Sequence, residues 1–188
     1  MSIQDARSKA IGEALDDIRA IEAQNGVNRE SLEQIKQRLI KLGRQRGLFP
    51  DEDFPLAPEH NGEFFDVLSV DDDGRFELYI EVADQTVDVP PHDHTTWAVV
   101  VGIEGNELNR LYDADPEGGT PPALREEVRV GPGTGVAMMP EDFHSIHMAE
   151  GERNMHLHLY GLCFAKLKDR TLYDKETGAY RQFDVALD

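Results

Sequence analysis

The stretch 89-VPPHDHTTWAVVVGIEG-105 sets two histidines one residue apart at the head of an apolar run that ends in a glycine-marked turn. In extended chain, successive side chains alternate between faces, so His92 and His94 leave the same face. Pro90 and Pro91 read as a turn before the strand, and Trp97 to Ile103 read as the strand itself. One histidine alone is most simply a partly buried ring bonded to a backbone carbonyl. A His-x-His pair followed by more strand histidines points instead to metal, because neutral imidazoles from separate strands can converge on one ion.

The same period of two runs through the chain on both sides of that stretch. In RFELYIEV, Phe76, Leu78, Ile80 and Val82 share one face while Glu77, Tyr79 and Glu81 share the other. The habit returns in NELNRLYDA, REEVRVG, GVAMMP, FHSIHMA and NMHLHLYGL, with Gly, Pro, Asp and Asn between the runs at roughly ten-residue intervals, as in a sandwich or barrel of antiparallel strands. His156, His158 and Tyr160 fall on one face, opposite Met155, Leu157 and Leu159. His144 and His147 are three apart and oppose each other in a regular strand. His60 lies in a proline-rich linker without a partner and is expected to face solvent.

Upstream, the period changes. From about Ser2 to Gln24, apolar residues recur at three and four, and RESLEQIKQRLIKLG repeats the stripe with Leu32, Ile35, Leu39 and Leu42 after a break at NGVN. Two antiparallel helices are expected, with Gly43 as a stop. LFPDEDFPLAPEHNGEF reads as a linker. The fold class expected is an all-β core, a barrel with an N-terminal helical pair, divided into a helical segment over 1–50 packed on a barrel over 51–188.

The 188 residues suffice for one real core and are few for two domains. The formal charge of -18 disfavours nucleic acid and anionic membrane surfaces as partners. Residues 1–50 hold nine Lys+Arg against seven Asp+Glu, leaving ten against thirty in the rest. An anionic substrate would therefore need a local cation. The lone cysteine, Cys163, permits no internal disulfide and no cysteine metal cluster, and reads as a packed thiol. The N-terminal sequence has no uninterrupted apolar run, so neither a signal peptide nor a membrane span is expected, and a soluble, cytoplasmic protein is. GPGTG at 131–135 lacks the lysine and helix of a phosphate loop and reads as a strand turn.

PPHDHTTWAVVVGIEGNEL resembles the first motif of the cupin superfamily. The series HDHT, GNEL, DFHSIH, HLHLYG and DKETG is similar to the thiol dioxygenases, the cysteine and mercaptopropionate dioxygenase family, over about residues 64–180. The resemblance implies a double-stranded β-helix (cupin) barrel holding Fe(II) by His92, His94 and His144, with His147 as the rival third ligand because the spacing before His144 is one residue short. It places His158 and Tyr160 beside the substrate as outer-sphere groups.

The sequence departs from the family pattern in three places. Trp97, Ala98 and Val99 stand where cupins carry a glutamate ligand, in keeping with a three-histidine site. His156 replaces the serine of the Ser-His-Tyr relay. The arginine that grips cysteine's carboxylate would fall near Asp66, and Arg46 and Arg75 bound a stretch without arginine. Arg170, near where mercaptopropionate dioxygenases place an arginine, is the expected carboxylate clamp.

The expected activity is conversion of a small mercapto acid and O2 to a sulfinate, with iron as the sole cofactor, Tyr160, His158 and His156 as catalytic groups, and the thiol and O2 as the small-molecule partners. Competing readings are a cupin metalloenzyme of another type, such as a diketone dioxygenase or an isomerase, and a non-catalytic metal-binding sensor module. The sequence leaves open the thiol, the metal among first-row ions and the oligomeric state.

Overall fold

The computed structural model describes residues 2–56 and 63–183; His60 lies outside them. Ser2 caps α1 (Ile3–Asn25), its hydroxyl accepting from the Asp5 amide while the Asp5 carboxylate accepts from the Ser2 amide, and Gly26 ends the helix at φ 68°. Asn28 and Ser31 form the equivalent box for α2 (Arg29–Gly43). Gly43 is the last helical residue, and Arg44 after it stays in the right-handed region. The helix end lies against β-strand residues Val101 and Ile103 and does not reverse the chain there.

Eleven strands follow among the described residues: β1 (Glu63–Ser69), β2 (Arg75–Ala83), β3 (Val87–His92), β4 (Ala98–Glu104), β5 (Glu107–Asp115), β6 (Thr120–Val130), β7 (Gly135–Met138), β8 (Phe143–Met148), β9 (Asn154–Leu162), β10 (Arg170–Asp174) and β11 (Ala179–Phe183). They form two antiparallel sheets, ordered β1-β2-β9-β4-β7 and β11-β10-β3-β8-β5-β6. The pairings are nested: β5 pairs with β6, β4 with β7, β3 with β8 and β2 with β9. A long hairpin is thus wound so that each successive pair changes sheet. That winding is the double-stranded β-helix, or jelly roll.

The helical pair covers the outer face of the first sheet. Ile11, Leu15 and Ile18 of α1 and Leu32, Ile35 and Leu39 of α2 share one core with Leu78, Ile80 and Val82 of β2, Val99 and Val101 of β4, and Leu157 and Leu159 of β9. Each such fully buried aliphatic side chain is worth about 1.5–3 kcal/mol of transfer free energy. The apolar face of RFELYIEV therefore points out of the barrel, towards the helices, and its Glu-Tyr-Glu face points in.

Three expectations change. The supposed linker is packed at its start: Phe49 and Phe54 are fully buried, joined by short 3-10 turns at Arg46–Leu48 and Asp51–Asp53, and Arg7 lies over the Phe54 ring while pairing with Asp53 at 2.7 Å. Pro90 and Pro91 sit inside β3, not before it, at a register shift against β8 where the ladder needs no N–H from them. A last hairpin, β10–β11, closes on the DKETG turn and was hidden by its polar composition.

Candidate metal centre

His92 ends β3, and His94 lies beyond it in the connection to β4 rather than on a continuing strand. That connection is held from outside: the Asp93 amide donates to the Thr171 carbonyl at 3.0 Å, the Thr171 amide donates to Asp93 Oδ1 at 3.2 Å, and Arg170 Nε donates to the Asp93 carbonyl at 2.9 Å. Thr95 takes φ 55°, a left-handed turn that folds the loop back towards β4. Strand register does the rest. His92 is the Cα partner of His144 across β3 and β8, so the third imidazole arrives beside the first.

The three rings come together. One nitrogen from each of His92, His94 and His144 lies within 4.8 Å of the others, all three residues are buried, and the ring centroids are 4.6–5.1 Å apart. His92 Nδ1 bonds the Pro90 carbonyl at 2.8 Å and His144 Nδ1 bonds Asn109 Oδ1 at 2.7 Å. Each therefore carries its proton on Nδ1 and leaves an Nε2 lone pair for the centre. Asn109 is itself fixed, donating from Nδ2 to Glu107 Oε1 at 2.6 Å.

The Nε2 atoms of His94 and His144 meet at the centre of the cluster. His94 Nε2 and His144 Nε2 are 3.1 Å apart, while His94 Nδ1 is buried without a partner. Nitrogen ligands about 2.0–2.1 Å from a first-row ion stand roughly 2.8–3.4 Å from each other at octahedral to tetrahedral angles, so this spacing fits a shared divalent ion. Burial is the main force holding all three imidazoles neutral, pushing His92 down to about 4 and the other two well below the ordinary histidine range; Arg170 adds repulsion at His92 and neighbouring histidines add it at the others.

His147 is on the outer face of β8. It pairs with Asp88 at 2.7 Å and bonds Ser145 Oγ at 2.8 Å, away from the cluster.

A cavity of about 360 Å³ opens beside the centre, reached through His92 and shared by Tyr160, His158, Glu81 and Arg170 among apolar walls that include Phe164 and Leu172. Arg170 is buried on β10, with its guanidinium 5.0 Å from the centroid of the Phe183 ring. Tyr160 stands edge-on to His94 with centroids 5.0 Å apart, and Tyr79 Oη donates to Tyr160 Oη at 3.4 Å. Burial raises both phenols above their ordinary range, so Tyr160 keeps a proton to donate.

His158 stacks on Tyr79 at 4.7 Å and faces Glu81, Nε2 to Oε2 at 3.0 Å, a pairing distance without hydrogen-bond alignment. Burial opposes its charged form, but Glu81 outweighs burial and raises the imidazole above its usual value. His156 is not on the cavity wall. It sits in the interior with Nε2 3.3 Å from the Val130 carbonyl.

Sequence reasoning did not single out Asn109, Glu81, Glu107 or Asp93. The available signal was parity: Glu107, Asn109 and Leu111 share one face of β5, as Glu77, Tyr79 and Glu81 do of β2. Asp93 gave no signal, since its role depends on β10.

No protein-family model matches the sequence. Several solved structures are similar to parts of the chain. A cupin superfamily protein from Desulfitobacterium hafniense is 13% identical with a TM-score of 0.42, covering 54% of this chain and 79% of that one. KdgF from a Halomonas species is 14% identical with a TM-score of 0.45, covering 63% and 98%. An RmlC-like cupin with a double-stranded β-helix fold from Methanocaldococcus jannaschii is 12% identical with a TM-score of 0.41, covering 53% and 80%. The fold is a cupin-type barrel. The nested strand pairing defines it, and a fold of this kind does not by itself determine activity. Among the described residues, no helix is long and apolar enough to cross a membrane.

Proposed function

We propose that this chain is a non-haem iron thiol dioxygenase that converts a small mercapto acid to its sulfinate. The observation that carries the proposal is the cluster of three buried imidazoles, two of them with Nδ1 bonded to protein acceptors, next to a cavity that also holds a buried arginine and a protonated tyrosine. His92, His94 and His144 would hold the iron, which when bound supplies Lewis acidity towards a thiol and the redox capacity to use O2. The net conversion takes R–SH and O2 to R–SO2⁻ and H⁺, so it needs no external reductant.

The chain's own groups orient the substrate. Arg170 on β10 receives the carboxylate, while Glu81 on the opposite sheet repels it, so only one end-to-end orientation in the cavity is favourable. Tyr160 accepts from Tyr79 and has its own O–H to give to a polar atom of the substrate or to oxygen near His94. His158, stacked on Tyr79 and paired with Glu81, keeps that phenol pair in place. His156 supports the layer beneath. The apolar wall limits water around the reacting atoms.

The test is oxygen uptake by anaerobically Fe(II)-loaded protein across mercaptopropionate, mercaptosuccinate, cysteine and cysteamine, with product identified as sulfinate. Uptake with at least one thiol acid, and a Michaelis constant for it that Arg170→Ala raises at least tenfold more than that for cysteamine, is the expected result. No uptake by fully iron-loaded protein with any thiol, or uptake with a diketone instead, overturns the proposal.

A further inference from the structure

The barrel interior contains a second group of ligating side chains for which the chemistry above gives only a partial use. Glu81 of β2, Glu107 of β5 and His158 of β9 are all buried, and one ligand atom of each lies within 4.8 Å of the other two. Glu107 is fully enclosed; its Oε1 accepts from Asn109, and its Oε2 is buried without any partner. His158 Nε2 stands 3.0 Å from Glu81 Oε2 yet is not aligned to bond it. Two ligand atoms of one ion keep that distance.

Charge points the same way. Two carboxylates and one imidazolium leave a net charge of -1 in the interior, and Glu107 makes no ion pair among the described residues. An uncompensated buried carboxylate costs several kcal/mol in desolvation, and this chain already carries -18. Two carboxylates and a neutral imidazole around a divalent cation sum to zero.

We propose that Glu81, Glu107 and His158 form a second divalent-cation site. It is joined to the three-histidine centre by the chain Glu107, Asn109, His144. Glu81 and His158 both face the 360 Å³ cavity, which provides the entry path and room for water ligands. Two carboxylate oxygens and one imidazole suit Mn(II), Fe(II) or Zn(II) and exclude soft Cu(I). A cation here also holds Glu107 towards Asn109 and so steadies the His144 tautomer.

The site is tested without substrate. Chelator-stripped protein is reloaded with Mn(II), desalted, and its metal content measured per chain. The expected ratios are two for the natural chain, one for the near-isosteric Glu81→Gln/Glu107→Gln variant and one for His94→Ala/His144→Ala. A ratio of one for the natural chain, retained in the first variant and lost in the second, overturns the proposal and leaves a proton-sharing or hydrated carboxylate pair. Should either variant fail to fold, Mn(II) anomalous scattering from crystals of the natural chain decides: two peaks in the barrel support the site, and a single peak among the three histidines removes it.

Discussion

The two faces of the first sheet are built from the same strands and do opposite work. On the outer face, Leu78, Ile80, Val99, Leu157 and Leu159 lock against two helices in an apolar core. On the inner face of those strands, Glu81, Tyr79, His156, His158 and Tyr160 hold charges, rings and a cavity wall. Most small barrels keep their apolar residues inside. Here the helical pair supplies a second apolar interface, which frees the interior to carry buried polar groups that would otherwise be a net cost. Stability and chemistry are separated by one residue of register.

That separation breaks cleanly if it is real. His94→Ala, on the chemical side, is expected to remove metal from the three-histidine centre altogether while moving the urea midpoint of the metal-free protein little, because His94 Nδ1 already lacks a partner. Leu157→Ala, on the structural side, is expected to cost about 2–5 kcal/mol of unfolding free energy and to leave metal content per folded chain unchanged. Metal analysis and urea titration of both variants settle it. If Leu157→Ala lost the metal and His94→Ala lost the fold, the two faces would not be independent.

Asn109 sharpens the comparison from within the interior. It takes the Nδ1 proton of His144 and is held against rotation by Glu107. Asn109→Ala should weaken metal binding roughly 10–100-fold, the usual range for outer partners of a metal histidine. A titration with a competing chelator reads the change, and an unaltered affinity would reduce Asn109 to packing.

How much of this was legible follows from what alternation can and cannot say. The apolar stripes and the NGVN break placed α1 and α2 almost to the residue, while the capping boxes at Ser2 and Asn28 are seen only in the structure. Alternation put Met155, Leu157 and Leu159 opposite His156, His158 and Tyr160. It could not say which face was inside, because that depends on the helices covering the other. It also set His144 and His147 on opposite faces without choosing between them; the choice comes from the pairing of His144 with His92. The clasp of Asp93 by Thr171 and Arg170 joins positions nearly eighty apart, beyond any local pattern. Phe49 and Phe54 were obscured by the prolines and acids around them.

The interior face should also betray itself in the pH dependence of the metal-free protein. Burial depresses His92 to about 4 and holds His94 and His144 well below the ordinary histidine range, against about 6.5 in an unfolded chain. Below about pH 6.5 the unfolded chain therefore binds protons that the folded chain refuses, so stability contributed by the neutral rings is full above that pH and declines as pH falls towards 4. His158 acts in the other sense, since Glu81 raises it: its contribution is present below about 6.5 and fades as pH rises. Three groups outweigh one, and the net slope is downward with acid. Urea midpoints in chelator at pH 7.5 and 5.5 should differ by less in His94→Ala than in the natural chain, because one depressed ring is gone. An equal difference in both would mean that the imidazoles of the centre are not the buried, neutral groups on which metal binding by this face depends.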